Sequence, residues 1–411
     1  MKKFWKKALV AGLTACMAAS LAACGGSSSG SSSSSAPAAS GSTGAAAAAE
    51  GGAGVIKIGG SGPLTGDNAQ YGTAVKQAAE MAVEEVNAKG GVQFELQFED
   101  DMSDQEKADT AYGVLKDGGM QISLLTVTST PAAAVASSYQ EDQIFALTPS
   151  ASSPAVTAND SGAYGNIFQM CFSDPGQGQG AAAYIAAHPD LGTKVAIIYR
   201  NDDNYSTGIY NTFVAEAEAD NLEIVYDGAF TGEAANDFSV QLKAAQDAGA
   251  DLLFLPIYYQ PASLILNQAK SMGYAPTFFG VDGMDGILAL EGFDKSLAEG
   301  VYLLTPFNAD AEDELTKTFV ENYKARVGVV PNQFAADAYD CIFALAQACE
   351  NAGITADMSN ADICEKLVEQ FTTMNFTGLT GTDMTWAASG EISKVPHAMV
   401  IKDGAYVGVA D

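Results

Sequence analysis

The sequence predicts an α/β protein made of two doubly wound parallel-sheet lobes joined by a hinge. Apolar β runs alternate with amphipathic helical stretches from residue 55 onward, and the same rhythm restarts after the Gly-rich stretch 175–180. Residues 55–411 are also too many for one comfortable core, because a single core stops growing at about 250–300 residues. Together these observations indicate two successive lobes of similar design.

The first half alternates in the order β-α-β-α-β-α-β, which requires a parallel sheet with helices on both faces. The predicted strands cover residues 55–58, 94–99, 122–127 and 144–147, and the predicted helices cover 71–89, 104–116 and 131–141. Glycine pairs at 90–91 and 118–119 end the first two helices.

The second half repeats this alternation and then adds helices. The predicted strands are 195–199, 222–226, 251–255 and 277–279, with helices at 206–219, 237–248 and 261–272. A strand-like piece from 301 leads to helices 312–326, 334–351 and 361–371, and short strands return in 384–409. We expect one lobe to comprise residues 55–174 plus about 305–380, and the other to comprise 175–304 plus about 381–411.

The N-terminus carries an export signal. Residues 1–24 contain Lys2, Lys3, Lys6 and Lys7, an apolar stretch too short for a stable membrane span, and the sequence Leu-Ala-Ala-Cys ending at Cys24. That ending resembles the lipobox of bacterial lipoproteins, which predicts lipidation at Cys24; the alternative is an ordinary cleaved signal. Residues 25–54 are almost entirely Ser, Gly, Ala and Pro, so we expect a flexible tether.

The charge and the cysteines limit the possible partners. A formal net charge of −30 repels nucleic acid and anionic lipid headgroups, so we expect neither as a partner. Beyond Cys16 and Cys24, the cysteines show no CxxC or Cys/His cluster, which predicts no metal site and small buried thiols: Cys171, Cys341, Cys349 and Cys364.

Nothing in the sequence indicates catalysis or a cofactor. His188 and His397 stand alone, and no GxSxG, GxxxxGK[ST] or HExxH motif occurs. The glycines around 60–66 have the third glycine one position late for a dinucleotide loop, and those at 176–180 follow no clear strand. We therefore expect a binding protein and not an enzyme, with His188 as a surface loop residue.

The loops after two strands of the first half offer donors for a carboxylate. Residues 128–131 and 148–154 place Ser and Thr hydroxyl groups and free backbone N–H groups at predicted helix starts. Helix N-termini present unsatisfied donors and a partial positive charge, which favours an anion. Simple helix capping by the same residues is the alternative.

The loops of the second half offer complementary groups for an ammonium. Tyr205, Tyr258 and Asp282 each follow a predicted strand, with Tyr259 beside Tyr258. An acid next to aromatic faces attracts an ammonium through a charge-assisted hydrogen bond and cation–π attraction. Asp282 in an Asp-Gly turn is the alternative interpretation. The two halves together predict a cleft for a small zwitterion.

Several short segments together resemble the branched-chain amino-acid-binding proteins of ABC importers, which have the type I periplasmic-binding-protein fold, a Venus-flytrap clamp. The segments are 55–59, 61–63, 71–72, 86–91, 99–101, 148–151, 202–205, 280–283 and 336–340. The resemblance covers residues 55–411. The chain departs from the family's usual Glu at Asp282 and usual Thr at Ser152, and it lacks the cysteine pair that can form a disulfide in the first lobe.

The resemblance implies a role for each site residue. Ser129 and the loop of Ser150, Ala151 and Ser152 would hold the ligand carboxylate. Tyr258 and Asp282 would hold the ammonium, and Tyr71 and Tyr205 would line the space for the side chain.

The resemblance also implies a function, which is capture of a branched-chain or similar amino acid for an ABC importer permease by a monomer held at the bacterial cell membrane through its lipid. Two alternatives keep the fold: an amine-free ligand such as an aromatic acid, urea or short amide, or a role as a ligand sensor.

Overall fold

The computed structural model describes residues 54–409, which belong to one compact unit. The predicted export signal, the lipidation site at Cys24 and all but the last residue of the tether lie outside the described residues. Within residues 54–409, no helix is both long and apolar enough to cross a membrane.

The first sheet has five parallel strands in the order β2-β1-β3-β4-β7. Crossover helices connect the strands, as the alternating pattern predicts. Its strands are β1 (Ile56–Gly62), β2 (Phe94–Asp100), β3 (Ile122–Thr126), β4 (Phe145–Thr148) and β7 (Ile167–Gln169), and a small hairpin, β5 (Ala158–Asn159) and β6 (Gly162–Ala163), precedes β7. The helices between them are α1 (Ala69–Lys89), α2 (Gln105–Asp117), α3 (Ser129–Glu141) and α4 (Pro154–Thr157).

The second sheet has seven strands in the order β16-β15-β12-β11-β10-β8-β9. All neighbours are parallel except the last two strands of the chain, which add to one edge as antiparallel strands. Its strands are β8 (Lys194–Arg200), β9 (Glu223–Phe230), β10 (Leu252–Leu255), β11 (Thr277–Gly280), β12 (Tyr302–Thr305), β15 (His397–Lys402) and β16 (Ala405–Gly408). Its helices are α5 (Asp174–Ala187), α6 (Asn204–Ala219), α7 (Ser239–Asp247) and α8 (Tyr259–Met272).

Three further helices return to the first sheet. They are α9 (Glu314–Val327), α10 (Gln333–Ala352) and α11 (Asn360–Phe371), and a hairpin of β13 (Phe376–Gly378) and β14 (Gly381–Met384) follows them. Helix α10 packs along α1, and α11 packs against β3 and β4. The apolar face of α10 is buried, as its periodicity predicts.

The Gly-rich stretch at 175–180, for which the sequence predicted no helix, forms the first half of helix α5. Ser173 caps this helix by accepting a hydrogen bond from the N–H group of Gly176. The glycines allow close packing instead of a turn, because a Cβ at Gly178 would lie 2.5 Å from the carbonyl oxygen of Ile209 in α6. The glycine content of this stretch gave no indication that it forms a helix, α5, that packs tightly against α6.

The four cysteines within residues 54–409 are buried, as predicted, and none of them forms a disulfide there: Cys171, Cys341, Cys349 and Cys364. Burial raises the pKa of each thiol. They therefore behave as small apolar side chains of the core.

Candidate functional site

The carboxyl ends of the strands in the two sheets meet around an enclosed cavity with about 230 Å3 of empty volume. Parallel sheets bind ligands at this edge, where loops and helix N-termini converge. Five of the predicted site residues line the cavity: Tyr71, Ser150, Tyr205, Tyr258 and Asp282. Four residues outside the predicted set complete the lining: Val127, Thr128, Gly283 and Phe334; of these, Thr128 belongs to the loop 128–131 that the sequence marked as a source of donors.

Three tyrosines and a phenylalanine form the walls. The rings of Tyr205 and Tyr258 stack with their centroids 4.7 Å apart, and Tyr71 meets Tyr258 edge-on at 5.5 Å. Phe334, from the first turn of α10, lies 4.5 Å from the ring of Tyr71. These walls suit an apolar side chain, and the π faces can also attract a cation.

Asp282 supplies a buried carboxylate at one side of the cavity. It lies directly after β11, is 3 % exposed, and accepts a hydrogen bond of 2.6 Å from the hydroxyl of Tyr205. Burial raises the pKa of Asp282 to about 7, although hydrogen bonds from Tyr205 and Gly283 oppose the shift. A bound cation would stabilise the ionised form of this group.

Glycine at 283 allows this arrangement. The N–H group of Gly283 donates to the hydroxyl oxygen of Tyr205 at 2.9 Å. A Cβ at this position would lie 2.6 Å from the same oxygen, so a larger residue would push the tyrosine away from Asp282. The Asp-Gly pair is therefore part of the lining of the cavity as well as a turn.

The opposite side of the cavity carries hydroxyl groups from the first sheet. Ser150 donates to the carbonyl oxygen of Val127 at 2.7 Å. Ser129 accepts hydrogen bonds from the N–H groups of Ser152 and Ser153 at 3.1 and 3.2 Å. Among residues 54–409, the buried hydroxyl oxygens of Thr128 and Ser152 have no hydrogen-bond partner of normal geometry.

The structure thus divides the predicted carboxylate-binding residues into two layers. Ser150 reaches the cavity, whereas Ser129, Ala151 and Ser152 are buried behind its lining. The N–H group of Ala151 already donates to the hydroxyl of Thr148 at 3.0 Å. Thr128, the residue before α3, lines the cavity and makes no capping hydrogen bond with its side chain. The sequence signal for Thr128 was its position immediately before a helix start.

Contacts between the two sheets' loops enclose the cavity. The hydroxyl of Tyr71 donates to the carbonyl oxygen of Gly283 at 2.5 Å and accepts from the N–H group of Tyr259 at 3.1 Å. Thr130 donates to Asp203 at 2.8 Å. These hydrogen bonds join loops of the first sheet to loops of the second across the cavity.

A wider open cavity, with about 1210 Å3 of empty volume, lies on the outer side of Tyr258. Arg200 and Asp203 contribute to its wall, and Arg200 pairs with Asp202 at 2.6 Å. Tyr258 lines both this outer cavity and the enclosed one.

The histidines take no part in either cavity. His188 lies at the end of α5, where its ring stacks on Tyr184 and its Nδ1 is 2.7 Å from the carbonyl oxygen of the same residue. His397 is an exposed residue of β15. Residues 54–409 contain no group of three or more His, Cys, Asp or Glu side chains arranged to hold a metal ion.

Sequence comparison identifies relatives over most of the chain. A protein of Pseudomonas aeruginosa, named as a leucine-, isoleucine-, valine-, threonine- and alanine-binding protein, is 28% identical over 304 residues, which are 72% of this chain and 79% of that protein. The Leu/Ile/Val-binding protein of Escherichia coli is 25% identical over 82% of this chain and 88% of its own length.

Solved structures share the fold. The leucine-binding protein LivK of Thermotoga maritima superposes with a TM-score of 0.76 at 27% identity, covering 86% of this chain and 98% of that one. LivJ of Streptococcus pneumoniae, in complex with isoleucine, gives 0.76 at 26% identity over 87% and 99%. The predicted fold class, two parallel-sheet lobes of the type I periplasmic-binding-protein kind, is therefore confirmed.

The family resemblance read from the short segments is confirmed as well. The profile of the family described as "Periplasmic binding protein" matches residues 55–404, which include the first sheet, the second sheet except β16, and every residue that lines the enclosed cavity. This chain belongs to the periplasmic binding protein family.

Proposed function

We propose that this chain is an extracytoplasmic solute-binding protein that captures an α-amino acid between two lobes and delivers it to the permease of an ABC importer. The lobes would comprise residues 55–174 plus about 305–380, and residues 175–304 plus about 381–411. The observation that carries the proposal is the enclosed cavity with a buried carboxylate, Asp282, on one side and hydroxyl groups on the other.

The ammonium of the ligand would lie at Asp282 and Tyr258. A charge-assisted hydrogen bond to a buried carboxylate is short and strong, and the face of Tyr258 adds cation–π attraction. The aromatic walls formed with Tyr71, Tyr205 and Phe334 would take an apolar side chain. This combination suits leucine, isoleucine, valine or a similar amino acid.

The carboxylate of the ligand would lie at the hydroxyl side. The family resemblance implies that Ser129 and the loop of Ser150, Ala151 and Ser152 hold it. Of these, Ser150 would contact it directly, and the other three would support that loop from behind the lining. Thr128 joins this set, because its buried hydroxyl group lines the cavity and has no hydrogen-bond partner within residues 54–409. The N-terminus of the 13-residue helix α3 adds a partial positive charge.

The relatives support the same class of ligand. Their names refer to leucine, isoleucine and valine, and a similar structure from Desulfitobacterium hafniense, 25% identical, holds Leu. We therefore propose a monomeric receptor that requires no cofactor, performs no catalysis and releases its ligand unchanged.

An amine-free ligand, such as an aromatic acid, urea or a short amide, is the second candidate. The stacked rings of Tyr205 and Tyr258 favour it, since they could enclose a planar ligand. Asp282 disfavours an aromatic acid, because its ionised form would repel a ligand whose only charge is negative. Ligand sensing, which would use the same clamp with a different partner, belongs with this alternative.

The lipid anchor is a separate proposal. Cys24 would carry a diacylglycerol group, and residues 25–54 would tether the binding unit to the membrane surface. Two acyl chains suffice for stable attachment. Metabolic labelling with radioactive palmitate should mark the wild-type chain and leave Cys24→Ala unlabelled; equal labelling of both would contradict the assignment.

Thermal unfolding of the purified full chain tests the ligand class. The panel contains the twenty amino acids, benzoate, urea and acetamide. A ligand that binds the native state alone raises stability by about 2.7 kcal/mol at a concentration of one hundred times its dissociation constant. We expect stabilisation by leucine, isoleucine or valine. A response to amine-free compounds alone would discard the ammonium site, and no response to any compound would contradict the whole proposal.

A further inference from the structure

Thr130 connects the two sheets at a point outside the lining of the enclosed cavity. It stands in the first turn of α3, a helix of the first sheet, and its hydroxyl group contacts the N-terminus of α6, a helix of the second sheet. It lines an open cavity together with Arg200 and Asp203, and it is not among the residues that line the enclosed cavity. A change at Thr130 therefore leaves the proposed ligand contacts in place.

The hydroxyl group of Thr130 makes two hydrogen bonds to the start of α6. It donates to Oδ1 of Asp203 at 2.8 Å and accepts from the N–H group of Asn204 at 3.0 Å. A hydroxyl group can donate and accept at the same time, and both distances are normal for their type of hydrogen bond. One side chain of the first sheet thus holds two consecutive residues that belong to the second.

Asp203 is the N-terminal cap of α6. The oxygen that accepts from Thr130 also accepts from the N–H group of Tyr205 at 3.2 Å. Asp203 is 6 % exposed, and burial raises its pKa, whereas the hydrogen bond from Thr130 and the charge of Arg200 oppose the shift. Thr130 therefore stabilises a carboxylate that the contact between the two sheets keeps from water.

The contact links the two sides of the proposed ligand site. Thr128, which lines the enclosed cavity on the hydroxyl side, stands two positions before Thr130. Tyr205 directly follows the two partners of Thr130, and its hydroxyl donates to Asp282 at 2.6 Å. The hydrogen bonds of Thr130 thus fix the position of the carboxylate side relative to the ammonium side.

Tyr71 makes a contact of another kind between the sheets. It bonds to Gly283 and Tyr259, but it also lines the enclosed cavity. A change at Tyr71 would alter the space for the ligand together with the contact between the sheets. Thr130 allows the contact to be tested apart from ligand binding.

We propose that Thr130 is a positioning residue that holds the two lobes closed over the bound ligand without touching the ligand. The inference rests on the proposed function, in which two lobes close around an amino acid. When the lobes of a clamp separate, both hydrogen bonds of Thr130 break together, because Thr130 lies on one side and its two partners on the other. The bonds therefore slow release by the same factor for every ligand.

Thr130→Val in the purified full chain tests the inference, since valine keeps the shape of threonine and removes both hydrogen bonds. The probes are tritiated L-leucine, L-isoleucine and L-valine. A chase with excess unlabelled ligand, sampled by rapid filtration, measures the dissociation rate constant, and calorimetric titration measures the Kd. We expect dissociation to become about 10- to 100-fold faster, with an association rate constant within about twofold of the wild type.

Three results of this experiment would overturn the inference. The first is release at the wild-type rate. The second is a loss of affinity that lies entirely in the association rate constant. The third is a factor that differs about tenfold between the ligands, because a residue that does not touch the ligand must affect all of them alike.

Thr65→Val is the matched control. The hydroxyl of Thr65 also donates to an aspartate, Asp100, at 2.7 Å, but both residues belong to the first sheet and neither lines the enclosed cavity. We expect wild-type release from this control and from Thr130→Ser, which keeps the hydroxyl group. Faster release from Thr65→Val, or from Thr130→Ser to the extent seen in Thr130→Val, would overturn the role of the Thr130 hydroxyl.

Asn204→Pro tests the contact from the side of α6 and does not require Thr130→Val to fold. Asn204 is the first residue of α6, where proline is favoured, and Asp203 has the extended backbone, φ −129° and ψ 127°, that suits a residue before proline. The substitution removes the N–H group that donates to Thr130. Release should become about 2- to 10-fold faster, and an unchanged rate would overturn the inference.

The wild type separates this inference from the proposed function. If the wild type binds none of the three amino acids, both fail. If the wild type binds at least one of them and Thr130→Val and Asn204→Pro release it at the wild-type rate, the inference alone fails.

Discussion

Buried aspartates in two neighbouring regions of the molecule differ in whether the fold supplies a cation to their carboxylates. Oδ1 of Asp337 accepts a hydrogen bond of 2.6 Å from the ammonium group of Lys394. Asp340 accepts hydrogen bonds from Leu379 and Thr380. In contrast, Asp282 accepts a hydrogen bond at Oδ1 from the hydroxyl of Tyr205 and lines the enclosed cavity. Acids that the fold itself satisfies stabilise the structure, whereas acids with unused hydrogen-bonding capacity beside a cavity are ready for a ligand.

Substitution of Lys394 should have the largest effect on stability of the changes considered, because it removes the cation beside Asp337 and Asp340. Lys394→Met keeps most of the apolar stem but leaves Asp337 and Asp340 buried without a cation, and the side chain of Lys394 is 1 % exposed. We expect a loss of about 3–5 kcal/mol in the free energy of unfolding, measured by urea denaturation.

Lys243→Met is the control for this change. Lys243 and Asp247 form an exposed pair with side chains 58% and 64% exposed. Such pairs contribute about 0.3–0.5 kcal/mol. Equal stability of Lys394→Met and the wild type would show that the buried acids do not depend on their cation.

Asp282→Ala should weaken ligand binding strongly and change stability little, in contrast to Lys394→Met. It removes the carboxylate proposed to pair with a buried ammonium, so amino-acid binding should weaken by about 2–5 kcal/mol in calorimetric titration. Stability without ligand should change far less than in Lys394→Met, because Asp282 has no cation partner in the fold. Normal amino-acid binding by Asp282→Ala would show that the ammonium site is wrong.

The stability of the ligand-free protein should fall as the pH rises from 6 to 8. The pKa of Asp282 is raised to about 7 by burial, so the native state binds a proton that the unfolded state has lost at these pH values. The native state is thus favoured at pH 6, and about 1.4 kcal/mol is lost by pH 8. Asp285 and Asp337, with pKa values of about 6, act in the same direction at lower pH.

Urea denaturation of the wild type and Asp282→Asn at both pH values measures this contribution. The variant should show a smaller decrease than the wild type by about the same 1.4 kcal/mol. A wild-type stability that is higher at pH 8 than at pH 6 would indicate that Asp282 is ionised and paired in the free protein.

Among these substitutions, Thr128→Val should have the smallest effect on stability and on amino-acid binding. The hydroxyl of Thr128 has no partner within the described residues, so its replacement by a methyl group should not lower stability measurably. Amino-acid binding should weaken by about 1 kcal/mol, as for the loss of one hydrogen bond. A loss of stability with unchanged binding would place this hydroxyl among the structural groups.

Much of the fold was predictable because most strands and helices have a recognisable pattern in their own residues. Predicted bounds for most strands and helices differ from the observed ones by one or two residues, as for α10 (Gln333–Ala352) and β10 (Leu252–Leu255). Helix α5 was not predictable, since its glycines read as a break and the reason for them lies in α6, far along the chain. Strand β7 has only three residues and gave no pattern of its own.

The site was predictable where a residue follows a strand end. Asp282, Tyr205 and Ser150 were found in this way and line the cavity. Phe334 was not, because it comes from a helix that returns to the first sheet only in the folded chain.

A crystal structure of the protein with the amino acid that stabilises it most would test the central claim directly. We predict one amino-acid molecule in the enclosed cavity, with its nitrogen about 2.7–3.2 Å from a carboxylate oxygen of Asp282 and its carboxylate at Thr128 and the loop of Ser150 to Ser152. A ligand in the outer cavity beside Arg200, or one whose carboxylate faces Asp282, would contradict the account.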